Sequence, residues 1–153
     1  MTGKLRTIAG PMYAGKTSEL LRSILWEKHC GHKVLVIKPN IDNRYSEDHI
    51  ETHNRLSFPC FAMENWQQAL DRYNFKPYNF HTVFLDEVQF MDTAKTVEVV
   101  SQMLIDGVNV VAAGLDQDSR GVPFETTAML LALSDEVNKI QAICTVSGKP
   151  ATK

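Results

Sequence analysis

Residues 5–21 read LRTIAGPMYAGKTSELL, and three kinds of local structure follow one another within them. Leu5 to Gly10 is a short, largely apolar run that stops at a glycine, which reads as a strand. Gly10-Pro11-Met12-Tyr13-Ala14-Gly15-Lys16-Thr17 then fits G-x-x-x-x-G-K-[ST] at every fixed position. From Lys16 to His32, Leu20, Leu21, Ile24, Leu25 and Lys28 fall at i, i+1, i+4, i+5 and i+8. That spacing predicts a helix with one apolar stripe, closing near Gly31. A strand leading through glycines into a helix is the arrangement that grips a phosphate. Glycines let backbone N–H groups curl around the anion, and the helix N-terminus adds the positive end of its dipole. In that setting Lys16 reaches the β- and γ-phosphates of a nucleotide, and the Thr17 hydroxyl ligates Mg²⁺.

Outward from this stretch, apolar runs alternate with helix-like segments. Lys33 to Lys38 (KVLVIK) reads as a buried strand closed by Pro39. Asn40 to Arg55 is polar and without period, and reads as a long surface loop. Ser57 to Met63 is a weaker strand, followed by a helix over Glu64 to Tyr73 with Trp66, Ala69, Leu70 and Tyr73 inward. Thr82 to Asp86 is a strand, and Thr93 to Asp106 a helix with Val97, Val100 and Leu104 on one face and Gly107 as its stop. Val108 to Leu115 reads as a strand, Thr126 to Leu133 as a helix, and Val137 to Cys144 as a last strand. The alternation predicts one α/β domain, a P-loop (RecA-like) parallel sheet with helices on both faces.

Composition narrows the class further. The chain has 153 residues, 16 Lys+Arg against 18 Asp+Glu, and a formal charge of -2, which provides no broad electrostatic footprint for nucleic acid. No run approaches the roughly 20 apolar residues of a membrane span, and the N-terminus lacks the apolar core of a signal peptide. Cys30, Cys60 and Cys144 form no CxxC pair and leave an odd count, against a disulfide framework. Neither nucleic acid nor membrane is expected as a partner, and a soluble intracellular domain is the expectation.

The second chemical element is Thr82-Val83-Phe84-Leu85-Asp86-Glu87, an apolar strand delivering two carboxylates at its carboxyl end, where open α/β sheets bind ligands. Asp86 is the partner for Mg²⁺, directly or through water. Strand alternation alone points Glu87 elsewhere; at the strand end it can instead face the γ-phosphate region and take a proton from an incoming hydroxyl, the alternative being an exposed strand-end carboxylate.

These blocks resemble the type II (cellular-type) thymidine kinases. The resemblance rests on GPMYAGKTSELL at Gly10 to Leu21, VLVIKPNIDNRYS at Val34 to Ser46, FLDEVQF at Phe84 to Phe90, GLDQDSRGVPF at Gly114 to Phe124 and LALSDEVNKIQAIC at Leu131 to Cys144. It implies transfer of the ATP γ-phosphate to the 5′-hydroxyl of thymidine, in deoxyribonucleoside salvage for DNA synthesis. Position by position, it implies Glu87 as catalytic base with Lys16 beside it, and Thr17 and Asp86 on the Mg²⁺ side. Val88 and Gln89 join Gly10–Thr17, Asp86 and Glu87 on the nucleotide side, and Met12, Phe90, Leu115 and Phe124 line the thymine pocket. Arg44 and Tyr45 fall in the family's loop near the nucleotide. A homotetramer working on ATP and Mg²⁺ in the cytoplasm is implied with the rest.

Three departures accompany the resemblance. Ser119 stands where the family usually has an aromatic. Cys144 holds a zinc-ligand position, yet its partner position is Ser147, a poor zinc ligand, so Zn²⁺ has a single thiolate here. The family continues beyond the position of Lys153 into further zinc ligands and a lasso that closes over thymine. The expected division is therefore a kinase domain over 1–144 and a remnant of the zinc and lasso region over 145–153. The competing reading is a nucleotide-binding module, or fragment, without transfer activity; a third is a P-loop kinase of altered acceptor specificity.

Overall fold

A computed structural model describes residues 2–12, 14–41, 49–52, 56–143 and 150–151. Its centre is a six-stranded sheet built from β1 (Leu5–Ala9), β2 (Val34–Pro39), β5 (Phe61–Met63), β6 (Thr82–Leu85), β7 (Asn109–Gly114) and β8 (Glu136–Lys139). The strand order is β5-β2-β6-β7-β1-β8, and every pairing is parallel. Parallel neighbours need crossovers, and except between β2 and β5, where no helix is described, helices supply them: α1 (Lys16–His29), α2 (Trp66–Arg72), α3 (Thr93–Ile105) and α4 (Glu125–Leu133).

Side chains of a strand alternate between faces, so the buried strands feed two cores. On one face Leu5, Ile37, Val83, Leu85, Val110 and Ala112 pack with Trp66 and Ala69 of α2, Val99, Val100 and Met103 of α3, and Leu130 of α4. On the other, Ile8, Val36, Phe84 and Ala113 pack with Leu20, Leu21 and Ile24 of α1. The predicted α/β sheet with helices on both faces is the observed one. No helix among the described residues is long and apolar enough to cross a membrane.

The differences are local. Leu25 and Lys28, placed on the apolar stripe of α1, are exposed, while Ser23 takes a buried place beside Ile24. On α3 the core face is Thr96, Val99, Val100 and Met103, with Val97 and Leu104 only half-buried. Leu70 of α2 likewise lies at the surface. The polar stretch read as one loop contains β3 (His49–Glu51), which pairs antiparallel with β4 (Ser57–Pro59). Burial of Ile50 against the α1 core holds that hairpin in place. The single strand expected over Ser57 to Met63 therefore splits, β4 to the hairpin and β5 to the sheet edge. Val137 to Cys144 also divides, into β8 of the main sheet and β9 (Ala142–Ile143), which pairs with β10 (Pro150–Ala151).

Candidate active site

Parallel order puts the carboxyl ends of β1, β6 and β7 side by side, with β7 between the other two. Whatever follows those three strands shares one crevice. After β1 comes the glycine loop. An added Cβ at Gly10 would stand 2.4 Å from Ile140 O, so only glycine fits against the end of β8. Gly15 caps α1 with φ 88° and ψ 22°, in the left-handed region where a side chain is strained. Lys16, the first residue of the helix, turns its ammonium back across the loop and donates to Pro11 O at 2.6 Å. Burial holds its pKa below the ordinary lysine value, opposed by Glu87, Asp86 and Asp116. Thr17 follows in the first turn and is half-buried.

After β6 come the two carboxylates. Asp86 is buried, and its Oδ1 accepts from Glu87 N at 2.9 Å. Burial, with Glu87 as a like charge, pushes its pKa up to about 7, against the pull of that N–H bond, Lys16 and Lys38. Glu87 takes φ 56° and ψ 41°, the one non-glycine residue with positive φ among those described. Holding a glutamate there costs roughly 1–3 kcal/mol, of the kind retained where a side chain must be aimed. The turn redirects the chain into a 3-10 helix over Val88–Phe90, which reconciles a fully buried Asp86 with a half-buried Glu87. Gln89 Nε2 donates to Glu87 Oε2 at 2.7 Å, and Gln89 Oε1 accepts from Leu115 N at 3.1 Å.

After β7 comes a residue the sequence reading passed over. Asp116 is 7% exposed and neither carboxylate oxygen accepts a hydrogen bond. Lys139 Nζ lies 2.9 Å from its Oδ2, an ion pair without hydrogen-bond alignment. The signal was available in GLDQD, a second acidic residue at a strand end. Its spatial place depended on β7 lying between β1 and β6, which spacing along the chain does not encode.

The other expected positions are distributed more loosely. Met12 and Phe90 are exposed and Leu115 and Phe124 half-buried. Phe90 lines a cleft with Pro39, Met63, Trp66, Met91 and Lys95, and that cleft does not include Met12, Leu115 or Phe124. Phe124 N instead donates to Asp116 O at 3.0 Å, closing the 116–124 loop whose tip carries exposed Ser119. Val88 is wholly buried and Gln89 nearly so. Val88 packs beneath the turn, and Gln89 serves Glu87. Tyr13, Arg44, Tyr45, Cys144 and Ser147 lie outside the described residues.

Lys16 shares this crevice with Asp86, Glu87 and Asp116. Two of those carboxylates are buried, and one has no hydrogen-bond donor on either oxygen. A donor set of carboxylate and hydroxyl oxygens with excess negative charge suits a hard divalent cation such as Mg²⁺.

A glycine loop at a helix start, its lysine facing strand-end carboxylates, defines a P-loop phosphotransferase. The family model for thymidine kinase matches residues 3–153. The thymidine kinase of Thermococcus kodakarensis is 37% identical over 153 residues, covering 99% of this chain and 77% of its own length. That of Pseudothermotoga lettingae is 40% identical over 149 residues, covering 97% of this chain and 78% of its own. The chain belongs to the thymidine kinase family and is an ATP-dependent kinase.

Proposed function

We infer that this chain transfers the ATP γ-phosphate to the 5′-hydroxyl of thymidine, with Glu87 as the base. The observation that carries this reading is the pairing of Lys16 with an aimed Glu87: a carboxylate at positive φ, tethered by Gln89, in the crevice that holds the phosphate-loop lysine. Gly10–Thr17 hold the phosphate tail through main-chain N–H groups and the Lys16 ammonium. Glu87 accepts the proton as the 5′-oxygen forms its bond to the γ-phosphorus. The bond from that phosphorus to the β–γ bridging oxygen breaks, and ADP carries the electron pair away. Thr17 and Asp86 would hold Mg²⁺, with Asp116 facing the same charge. When bound, the ion neutralises charge on the β- and γ-oxygens. Met12, Phe90, Leu115 and Phe124 are the residues we assign to the nucleoside side. The exposed apolar pair Leu25 and Trp26 on α1 supports assembly into a homo-oligomer.

A nucleotide-binding module would need the loop but not a tethered carboxylate beside it, and family membership also counts against that reading. The test is ADP release from ATP with and without thymidine. Turnover should require thymidine and fall about 10²–10⁴-fold in Glu87→Gln, while a fluorescent ATP analogue still binds. Thymidine-independent turnover, or turnover untouched by Glu87→Gln, overturns the assignment.

A further inference from the structure

At the end of the sheet opposite the phosphate loop, three side chains from separate parts of the chain meet. Glu27 lies in the last turns of α1, His32 just before β2, and His81 just before β6. His32 Nδ1 stands 2.5 Å from Glu27 Oε2, and His81 Nδ1 stands 3.1 Å from the same oxygen. The two imidazoles are stacked, with centroids 3.7 Å apart and planes 16° from parallel. Thr82 Oγ1 completes the group, 2.8 Å from His81 Nδ1 and donating to Glu27 Oε2 at 3.4 Å.

The backbone beneath is fixed. His32 N donates to Glu27 O at 3.0 Å, and His81 N to Lys33 O at 2.8 Å. Gly31, at φ 82°, makes the reversal that returns His32 to the helix it has just left. His32 and His81 thus present the same ring nitrogen to one carboxylate oxygen from two strand starts, without a long mobile segment between anchor and ligand.

We propose that Glu27, His32 and His81 form a binding site for a divalent transition ion of the zinc class, separate from the phosphoryl-transfer site. The two imidazole nitrogens are borderline donors and the carboxylate oxygen is a hard one. They suit Zn²⁺ and its neighbours and are a poor match for Mg²⁺, which takes oxygen donors. The three ligand atoms all lie within 4.8 Å of one another. Around an ion with bonds of about 2.0–2.2 Å, tetrahedral ligands sit roughly 3.3 Å apart, so Glu27 has to draw back from His32, and, because an imidazole binds in its own ring plane, the His81 ring has to tilt out of its near-parallel stack on His32. Glu27 and His81 have the room to do this, because the His81 side chain is 43% exposed and that of Glu27 24%. Water takes the solvent-facing position. Bound in this way, the ion ties the C-terminal end of α1 to the starts of β2 and β6.

The test uses full-length protein carrying Cys144→Ser, so that thiolate binding at that position does not contribute. Zn²⁺ uptake is measured by equilibrium dialysis, and the visible absorption of Co²⁺ serves as a second probe. One equivalent should bind, raise the melting temperature and survive a large excess of Mg²⁺. His81→Gln and Glu27→Gln, both checked by circular dichroism and by thymidine-dependent turnover, should each weaken binding at least tenfold and cancel the thermal shift. Uptake unchanged in either folded variant, or Mg²⁺ displacing the ion at comparable concentration, overturns the proposal.

Discussion

Gln89 Nε2 donates to Glu87 Oε2 at 2.7 Å, and the other end of the same amide holds the backbone N–H of Leu115. The carboxylate we assign as base is therefore fixed to the strand between itself and the phosphate loop. Gln89→Leu removes a hydrogen bond to a charged acceptor, worth about 1.5–3 kcal/mol. The expected result is a fall in kcat of roughly 10- to 100-fold, with the KM for ATP little changed. Steady-state kinetics at saturating thymidine measures this. A rise in the ATP KM without loss of kcat would assign Gln89 to nucleotide binding instead.

Asp86 makes the unliganded protein sensitive to pH. Burial, then Glu87, raises its pKa from 3.8 to about 7 in the folded state. An acid whose folded value lies above its unfolded one favours folding less once ionised. The cost is absent below about pH 4, grows as pH rises, and is complete above about pH 7. Its ceiling is on the order of 4 kcal/mol. In metal-free buffer the melting temperature of wild type should fall relative to Asp86→Asn between pH 5 and pH 8, and ATP with Mg²⁺ should close the gap. Parallel melting curves for the two proteins across that range check the sign.

Asp116 separates activity from stability. Its carboxylate is 7% exposed, with neither oxygen accepting a hydrogen bond and the solvent-screened Lys139 ammonium as its ion-pair partner, and a buried charge satisfied in this way costs stability. Asp116→Asn should melt at the same temperature or higher while losing at least tenfold in turnover and requiring more Mg²⁺ for half-maximal rate. Calorimetry with a Mg²⁺ titration tests both halves. A variant that loses stability and keeps its Mg²⁺ dependence would make Asp116 structural.

Gly114 ends β7 under the Glu87 turn. An added Cβ would stand 2.7 Å from Val88 Cγ2 and 2.8 Å from Gln89 Oε1. Overpacking of this kind costs about 1–3 kcal/mol, so Gly114→Ala should lower the melting temperature by several degrees. Because Gln89 must move, kcat should fall with it, and that paired loss distinguishes this position from an ordinary core glycine.

The sheet was legible because its strands are short β-branched or apolar runs flanked by glycine, proline or polar residues, and α1, α2 and α3 match helices predicted from their apolar positions. What sequence could not supply was lateral order. Asp116 stands beside Lys16 only because β7 inserts between β1 and β6, and His32 meets His81 only because β2 neighbours β6. Helix faces were misjudged by a residue where small or polar side chains were buried in place of apolar ones, as with Ser23 and Thr96. The 49–59 hairpin escaped notice because its buried side is little more than Ile50, too short a pattern to show a period of two. Lys16, Asp86 and Glu87 were readable from local motifs. Their coupling through Gln89 was not, since a glutamine two residues past an acid is unremarkable until a positive φ turns it back.

The contact between Gly10 and Ile140 bears on how this enzyme tolerates redesign. Ile140 N donates to Ala9 O at 2.8 Å in the same place where its carbonyl crowds Gly10, so the glycine loop rests on a residue about 130 positions later.

 The hydrogen bond runs to Ala9 O, the last carbonyl of β1 before the loop begins. Splicing a foreign tail after Ile143 leaves that footing intact, whereas inserting or deleting a single residue within β8 shifts the floor under the glycine loop. A library of chimaeras should therefore cross over beyond β9, not within the edge strand that precedes it.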